Sequence, residues 1–122
     1  MADFSVLLAP LQGLLTYFQE DHRVREEKKD AALLAIKTAL IESRKYVELS
    51  GGCDREKEYD LAQLWADAAV KARHASQDLA ERLNDKSAYW SGNLEWSREE
   101  VLARRIDFAS VEAAVNELLR KP

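Results

Sequence analysis

The chain has 122 residues, a net charge of −4 and an apolar fraction of 47%, a composition typical of one folded domain. The acidic balance argues against a nucleic-acid-binding protein, because such proteins bind phosphates mainly through Lys and Arg. The single cysteine, Cys53, excludes an internal disulfide and a cysteine zinc site. No apolar run approaches the roughly 18 residues that a membrane span needs. We therefore expect one soluble, cytoplasmic domain over residues 1–122.

The first apolar pattern lies in residues 4–18, where large apolar residues recur every three or four positions and fill an arc of about 120° on a helix. Pro10 suits a first helical turn, so we expect a helix over about 8–21 and an arm that packs through Phe4 and Leu7. Residues 20–30 are charged; they either turn near 21–25, which we favour, or continue as a solvated helix. The apolar residues are Phe4, Leu7, Leu8, Leu11, Leu14, Leu15 and Phe18.

The middle of the chain predicts a long helical hairpin. Residues 26–49 form its first helix, which ends at Ser50-Gly51-Gly52 because Gly is the usual residue after a helix end. Asp54 caps the second helix, which we expect to run unbroken over 55–84. Its apolar stripe meets another helix and consists of Leu61, Trp65, Ala68, Ala72, Ala75, Leu79 and Leu83.

The last third of the chain begins with an irregular stretch. Residues 85–96 predict a loop, since Ser, Gly and Asn interrupt the pattern. Ser97-Arg98-Glu99-Glu100 is a capping box and predicts a helix start. The apolar face then rotates, so we expect either a break near 107–110 or one helix buried on two sides. The fold class is all-α, a four-helix up-and-down bundle with a long central hairpin and a last helix that breaks in the first of these alternatives.

Four charged residues fall within the broad apolar arcs of the helices that hold them: Lys37, Arg44, Arg105 and Glu112. One interpretation is that the long basic side chains extend to water along apolar surface. The other is a buried polar layer between the second and last helices, with Glu112 paired to Lys37 or Arg44. Buried pairs of this kind set register more than they stabilise a fold.

Three aromatic residues, Tyr89, Trp90 and Trp96, crowd into the expected loop. They either cover one end of the bundle as part of its core or form a patch that binds a partner. The second interpretation would give them a function, since Trp and Tyr dominate the energetics of protein interfaces.

The nearest group to a metal or catalytic site is His74 with Asp67 and Asp78. These residues share the polar face of the 55–84 helix, where no dry cavity is expected. Neither histidine of the chain follows a Glu by three residues, as a di-iron bundle site requires. We predict no metal, no cofactor and no catalytic residue.

These patterns favour a non-enzymatic helical protein–protein interaction module, such as an adaptor, an accessory protein or a small regulatory subunit. Its partner is another protein or a second copy of the chain, because helices of unequal length leave apolar surface to cover. The alternative is a nucleic-acid-associated small helical subunit of a larger complex, and the third hypothesis is an enzyme with an unrecognised site. We expect no membrane contact and identify no small-molecule substrate.

Overall fold

In the computed structural model, the backbone is described for residues 2–51, 54–92 and 95–121, and side chains are described in those ranges from residue 22 onward. These residues contain helices and no strand, which confirms the all-α class. In chain order the helices are α1 (Ala2–Ser50), α2 (Arg55–Ala72), α3 (Gln77–Ser91), α4 (Arg98–Ala103) and α5 (Phe108–Arg120).

The C-terminal half of α1 packs with α2, α3 and α5 around one apolar core, as the bundle prediction requires. Trp65 of α2 is fully buried in this core, and its Nε1 donates to Ser43 Oγ of α1 at 2.9 Å. This hydrogen bond stabilises the core, since a buried donor left without a partner costs about 1–3 kcal/mol. Other fully buried side chains are Ile36, Leu61, Leu83, Ile106 and Val111.

The first helix is continuous, so the expected helix over 8–21 and the turn near 21–25 are wrong. α1 runs from Ala2 to Ser50 without interruption. Residues 20–30 contain no Gly or Pro, and Glu, Lys and Arg are good helix formers. Water can therefore surround this stretch without breaking the helix. The expected packing of Phe4 and Leu7 lies outside the described side chains.

The turn between α1 and α2 confirms the helical hairpin. Gly51 follows the last residue of α1 with a φ of +71°, a left-handed conformation that glycine adopts without strain. Asp54 caps α2, because its Oδ1 accepts the N–H of Lys57 at 3.2 Å. The expected end at Gly51 is thus observed, whereas Gly52 and Cys53 lie outside the described residues.

The expected single helix over 55–84 is wrong, since α2 ends at Ala72 and α3 begins at Gln77. Ser76 caps α3 by accepting the N–H of Leu79 on its hydroxyl at 3.1 Å. The reversal folds α3 back onto α2, where buried alanines such as Ala69 and Ala80 let the two backbones approach.

The expected loop over 85–96 is also wrong for most of its length, because α3 continues to Ser91. The helix start predicted at Ser97 is observed, and a further helix begins after Asp107. Ser97 Oγ accepts the N–H of Glu100 at 3.1 Å, and Asp107 Oδ2 accepts the N–H of Ser110 at 3.1 Å. The last helix is therefore broken between α4 and α5, the first of the two expected alternatives.

Candidate functional site

One end of the bundle is held together around the buried carboxylate of Glu58. The Tyr46 hydroxyl donates to Glu58 Oε2 at 2.6 Å and accepts the N–H of Asp54 at 2.7 Å. Arg55 donates to Glu58 Oε1 at 3.1 Å and to the carbonyl oxygen of Trp90 at 3.1 Å. This network joins the C-terminus of α1, the N-terminus of α2 and the C-terminus of α3.

The two proton donors of this network hold their protons firmly. Burial, followed by the hydrogen bond to Glu58, raises the pKa of Tyr46. The hydrogen bond to Glu58 likewise raises the pKa of the Arg55 guanidinium. Neither group changes its charge near neutral pH, so we interpret the network as one that holds the α1–α2 hairpin in place. Sequence reasoning missed Glu58, although its position three residues after Arg55 on α2 is a usable signal.

The three aromatic residues singled out in the sequence lie at this same end. Trp90 is only 5% exposed and belongs to the core, with its ring edge-on to those of Tyr46 and Tyr89 at centroid distances of 5.8 and 5.5 Å. Tyr89 and Trp96 are half-buried, and the centroids of their rings are 6.3 Å apart. The Arg104 guanidinium lies over the Trp96 ring at 4.1 Å. Trp90 is therefore a core residue, whereas Trp96 is partly accessible to solvent.

A buried lysine that the sequence did not single out lies deeper in the bundle. Lys86 of α3 is 4% exposed, and its Nζ lies 4.4 Å from the centre of the Phe108 ring. The rings of Trp65 and Tyr89 are each 5.7 Å away, so three aromatic faces surround the ammonium group. Burial lowers the pKa of Lys86 to about 8, against the opposing attraction of the Asp107 carboxylate.

The Asp107 carboxylate beside this lysine has one satisfied oxygen and one unsatisfied oxygen. Its Oδ2 caps α5, while its buried Oδ1 has no hydrogen-bond partner among the described residues. Burial acts to raise the pKa of Asp107, but the hydrogen bonds from Ser110 outweigh it and the pKa is lowered.

Because the Lys86 amine is enclosed by aromatic rings, it is out of reach of a substrate in solution.

The structure brings together two of the four residues expected in a polar layer. Arg44 Nη2 of α1 lies 2.6 Å from Glu112 Oε2 of α5, and both side chains are about half exposed. Lys37 is exposed on the same side of α1 and lines a small cavity of about 110 Å³ with them. The pair therefore bridges two helices at the surface, where solvent screens it, rather than in a buried layer.

The fourth residue, Arg105, lies elsewhere in the bundle. It follows α4 in a left-handed conformation with a φ of 58°, and its guanidinium pairs with Asp78 Oδ1 at 2.9 Å. Arg82 of α3 donates to the Arg105 carbonyl oxygen at 2.9 Å and to that of Ser110 at 3.2 Å. Because the helix is broken here, Arg105 and Glu112 do not share a helix face. This break removes Arg105 from the expected layer.

His74 lies exposed in the turn between α2 and α3. Asp67 pairs with Lys71 at 3.1 Å, and Asp78 pairs with Arg105. Across the described residues no group of three His, Cys, Asp or Glu side chains is arranged to hold a metal ion.

Several large apolar side chains of the bundle remain exposed. On α1, Leu34 is 69% exposed and Ile41 is 55% exposed. On α2, Val70 is 58% exposed. Single exposed apolar side chains are normal on the surface of a small protein.

Within the described residues, no helix is both long and apolar enough to cross a membrane. Comparisons of the chain with protein-family models, with curated proteins and with solved structures find no match in any of the three.

Proposed function

We propose that this chain is a non-enzymatic helical interaction module, and that the N-terminal part of α1 is its binding segment. The observation that carries this proposal is the length of α1. It contains 49 residues, whereas α2, the next longest helix of the bundle, contains 18.

Among the side chains that the structure describes, those that α1 contributes to the core lie in its C-terminal half. The core extends along α1 from Ala32 to Tyr46, and Lys29 Nζ donates to the carbonyl oxygen of Lys121 near the C-terminus of α5 at 2.9 Å. Residues 22–28 are exposed except for the half-buried Glu26. The helix preceding Lys29 has a length of about 40 Å at 1.5 Å per residue. Of this stretch, the structure describes the side chains of residues 22–28, and none of them belongs to the core.

The apolar spacing of residues 4–18 is typical of a helix that packs one face against another surface. Residues 4–18 place seven large apolar residues on one arc of the helix. An isolated helix is marginal in water, and in proteins its stability comes mainly from packing of such an apolar face. A partner that covers the arc would supply this packing.

The charges of the same stretch favour a protein partner. Residues 1–21 contain no Lys or Arg, and their charged side chains are Asp3, Glu20 and Asp21. Nucleic-acid binding requires basic residues, and helices that lie on anionic membranes are usually rich in them. An acidic, apolar segment instead suits the apolar surface of another protein.

Site-specific photo-cross-linking of the full chain in its native host tests this function. A cross-linking residue at Leu8 should give discrete protein products, because that position lies within the apolar arc. The same residue at Leu34, which is exposed on the bundle part of α1, is the matched control. Products that form equally at both positions, or that contain only nucleic acid, would contradict the proposal.

A further inference from the structure

The apolar residues of the N-terminal part of α1 have an internal symmetry. The stretch FSVLLAPLQGLLTYF, residues 4–18, reads F-x-x-L-L-x-x-L-x-x-L-L-x-x-F in both directions. Every large apolar residue of the arc at position i is matched by the same residue type at position 22 − i. The reversal exchanges Phe4 with Phe18, Leu7 with Leu15 and Leu8 with Leu14, and it returns Leu11 to itself.

A reversal symmetry of this kind is what an antiparallel pair of identical helices uses. In a two-fold interface the same surface serves both copies, so residue i meets residue j and residue j meets residue i. Two antiparallel helices related by an axis at Leu11 bring each residue i close to residue 22 − i of the other copy. An unrelated partner would place no such requirement on the sequence.

The backbone permits this pairing, because α1 is one helix from Ala2 to Ser50 and includes the whole symmetric stretch. Within it, positions 4, 8, 11, 15 and 18 and positions 4, 7, 11, 14 and 18 both follow steps of three and four. These steps match the spacing by which paired helices interlock their side chains. The reversal converts one series into the other.

We propose that two copies of this chain associate through the N-terminal parts of their α1 helices, antiparallel and with the two-fold axis at Leu11. This self-association deepens the proposed function and rests on it, because it names a second copy as the partner of the same segment.

The proposed register also keeps the two bundles apart. Leu11 precedes Lys29, which donates to the carbonyl oxygen of Lys121 at the end of α5, by about 27 Å of helix. The corresponding ends of the two bundles are then separated by about 54 Å, so they do not collide. The dimer is elongated, with one four-helix bundle at each end.

Light scattering of the full chain during gel filtration measures the assembly. At about 100 µM, where an interface of micromolar affinity is occupied, we expect twice the chain mass of 13.9 kDa. Leu11→Glu places two carboxylates together at the axis and should raise the dissociation constant at least about 100-fold. Ile41→Glu, at an exposed position of the same helix, should leave the mass unchanged. A wild-type chain that stays monomeric, or equal effects of both variants, would overturn the proposal.

Disulfide trapping in a Cys53→Ser background tests the register directly. Leu11→Cys should form a disulfide between two copies, because the axis brings these positions together. Phe4→Cys alone should not, since its two copies lie about 21 Å apart along antiparallel helices. Phe4→Cys combined with Phe18→Cys should form it readily. Rapid trapping of Phe4→Cys alone indicates parallel helices and overturns the proposed arrangement.

These results separate the failure of the inference from the failure of the proposed function. If the purified chain is monomeric but the Leu8 cross-link captures a different protein, the interaction function stands and the dimer is wrong. If Leu8 gives no specific product and the purified chain is monomeric, both are wrong. Binding of the wild-type chain to lipid vesicles that Leu11→Glu abolishes would replace the second copy with a membrane surface.

Discussion

Tyr46 and Glu58 face each other across the α1–α2 hairpin, with 2.6 Å between the phenol oxygen and the carboxylate Oε2. Both side chains are buried, so the carboxylate depends on this donor and on Arg55 for its hydrogen bonds. The same hydroxyl accepts the backbone N–H of Asp54, which is the residue that caps α2. The Tyr46 side chain therefore holds both the buried Glu58 carboxylate and the backbone at the start of α2.

Tyr46→Phe should destabilise the bundle without changing its helical content. The substitution leaves a buried carboxylate and a backbone N–H each short of a partner, and such losses are costly away from water. We expect the melting temperature to fall by roughly 5–10 °C. Thr38→Val, which removes an exposed hydroxyl elsewhere on α1, is the control and should change it little. Equal melting temperatures for the two variants would show that the Tyr46 hydroxyl is dispensable.

Lys86 should make the stability of the protein depend on pH. Its pKa is 10.5 in the unfolded chain and about 8 in the folded one, so between these values the unfolded chain binds more protons. The free energy of unfolding should therefore rise with pH across this window, by up to about 3 kcal/mol at 1.36 kcal/mol per pKa unit. The raised pKa values of Tyr46 and Tyr89 act in the opposite direction above pH 10.

Lys86→Met should remove this pH dependence and stabilise the bundle at pH 7 by roughly 1–3 kcal/mol, because it no longer buries a charge. Urea unfolding at pH 7.5 and at pH 9.5 measures both effects, because these two pH values span most of the interval over which Lys86 changes the stability. Lys57→Met, at an exposed position of α2, is the control and should retain the wild-type slope with pH. A wild-type slope in Lys86→Met would assign the pH dependence to other groups.

The two tryptophans near the C-terminus of α3 should respond differently to truncation. Trp90→Ala removes a buried ring from the core and should lower the free energy of unfolding by about 3–5 kcal/mol. Trp96→Ala removes a half-buried ring and should cost about 1 kcal/mol or less. If Trp96→Ala instead loses a partner while remaining folded, Trp96 belongs to a binding surface. Urea unfolding of both variants separates these roles.

The turn between α2 and α3 should depend on the cap at Ser76. Ser76→Ala removes the acceptor for the N–H of Leu79 and should lower the free energy of unfolding by about 1 kcal/mol. Ser76→Asp keeps an acceptor and adds a negative charge at a helix N-terminus, so it should retain the wild-type value. A loss of stability in both variants would indicate that the turn needs the small hydroxyl for another reason.

The Arg44–Glu112 pair should contribute little to the free energy of unfolding, because both groups are about half exposed. Glu112→Gln should change the free energy of unfolding by less than about 1 kcal/mol, and the difference should shrink in high salt. A double-mutant cycle with Arg44→Gln measures the pair itself. A coupling above about 2 kcal/mol would restore the buried-layer interpretation of these residues.

The helical class, the hairpin and the caps at Asp54 and Ser97 follow from the sequence because each has a local chemical cause. The break after Ala72 could not be predicted in the same way. Ser76 is a cap residue without a neighbouring Gly or Pro, and the apolar spacing continues across it. Only the packing of α3 back onto α2 selects the turn, and that contact is not local.

The errors in the candidate site follow from errors in the helix bounds. Lys86 lies three residues after Leu83 and four before Trp90, so a helix that continues to Ser91 places it in the core. A helix that ends at 84 assigns it to a loop and hides it. Arg105 shares a face with Glu112 only on one unbroken helix, whereas α4 ends at Ala103 and α5 begins at Phe108. A helix wheel is informative only within a correctly bounded helix.

The continuity of α1 also fixes a rotational phase between its two halves. Phe18 and Ile36 are 18 residues apart, which is about five whole helical turns, so the two positions coincide on the helix wheel. Inserting one residue among 22–28 would turn the arc by about 100° relative to the bundle. Although this charged stretch contributes no residue to the core, its length should therefore tolerate change only in steps close to whole turns.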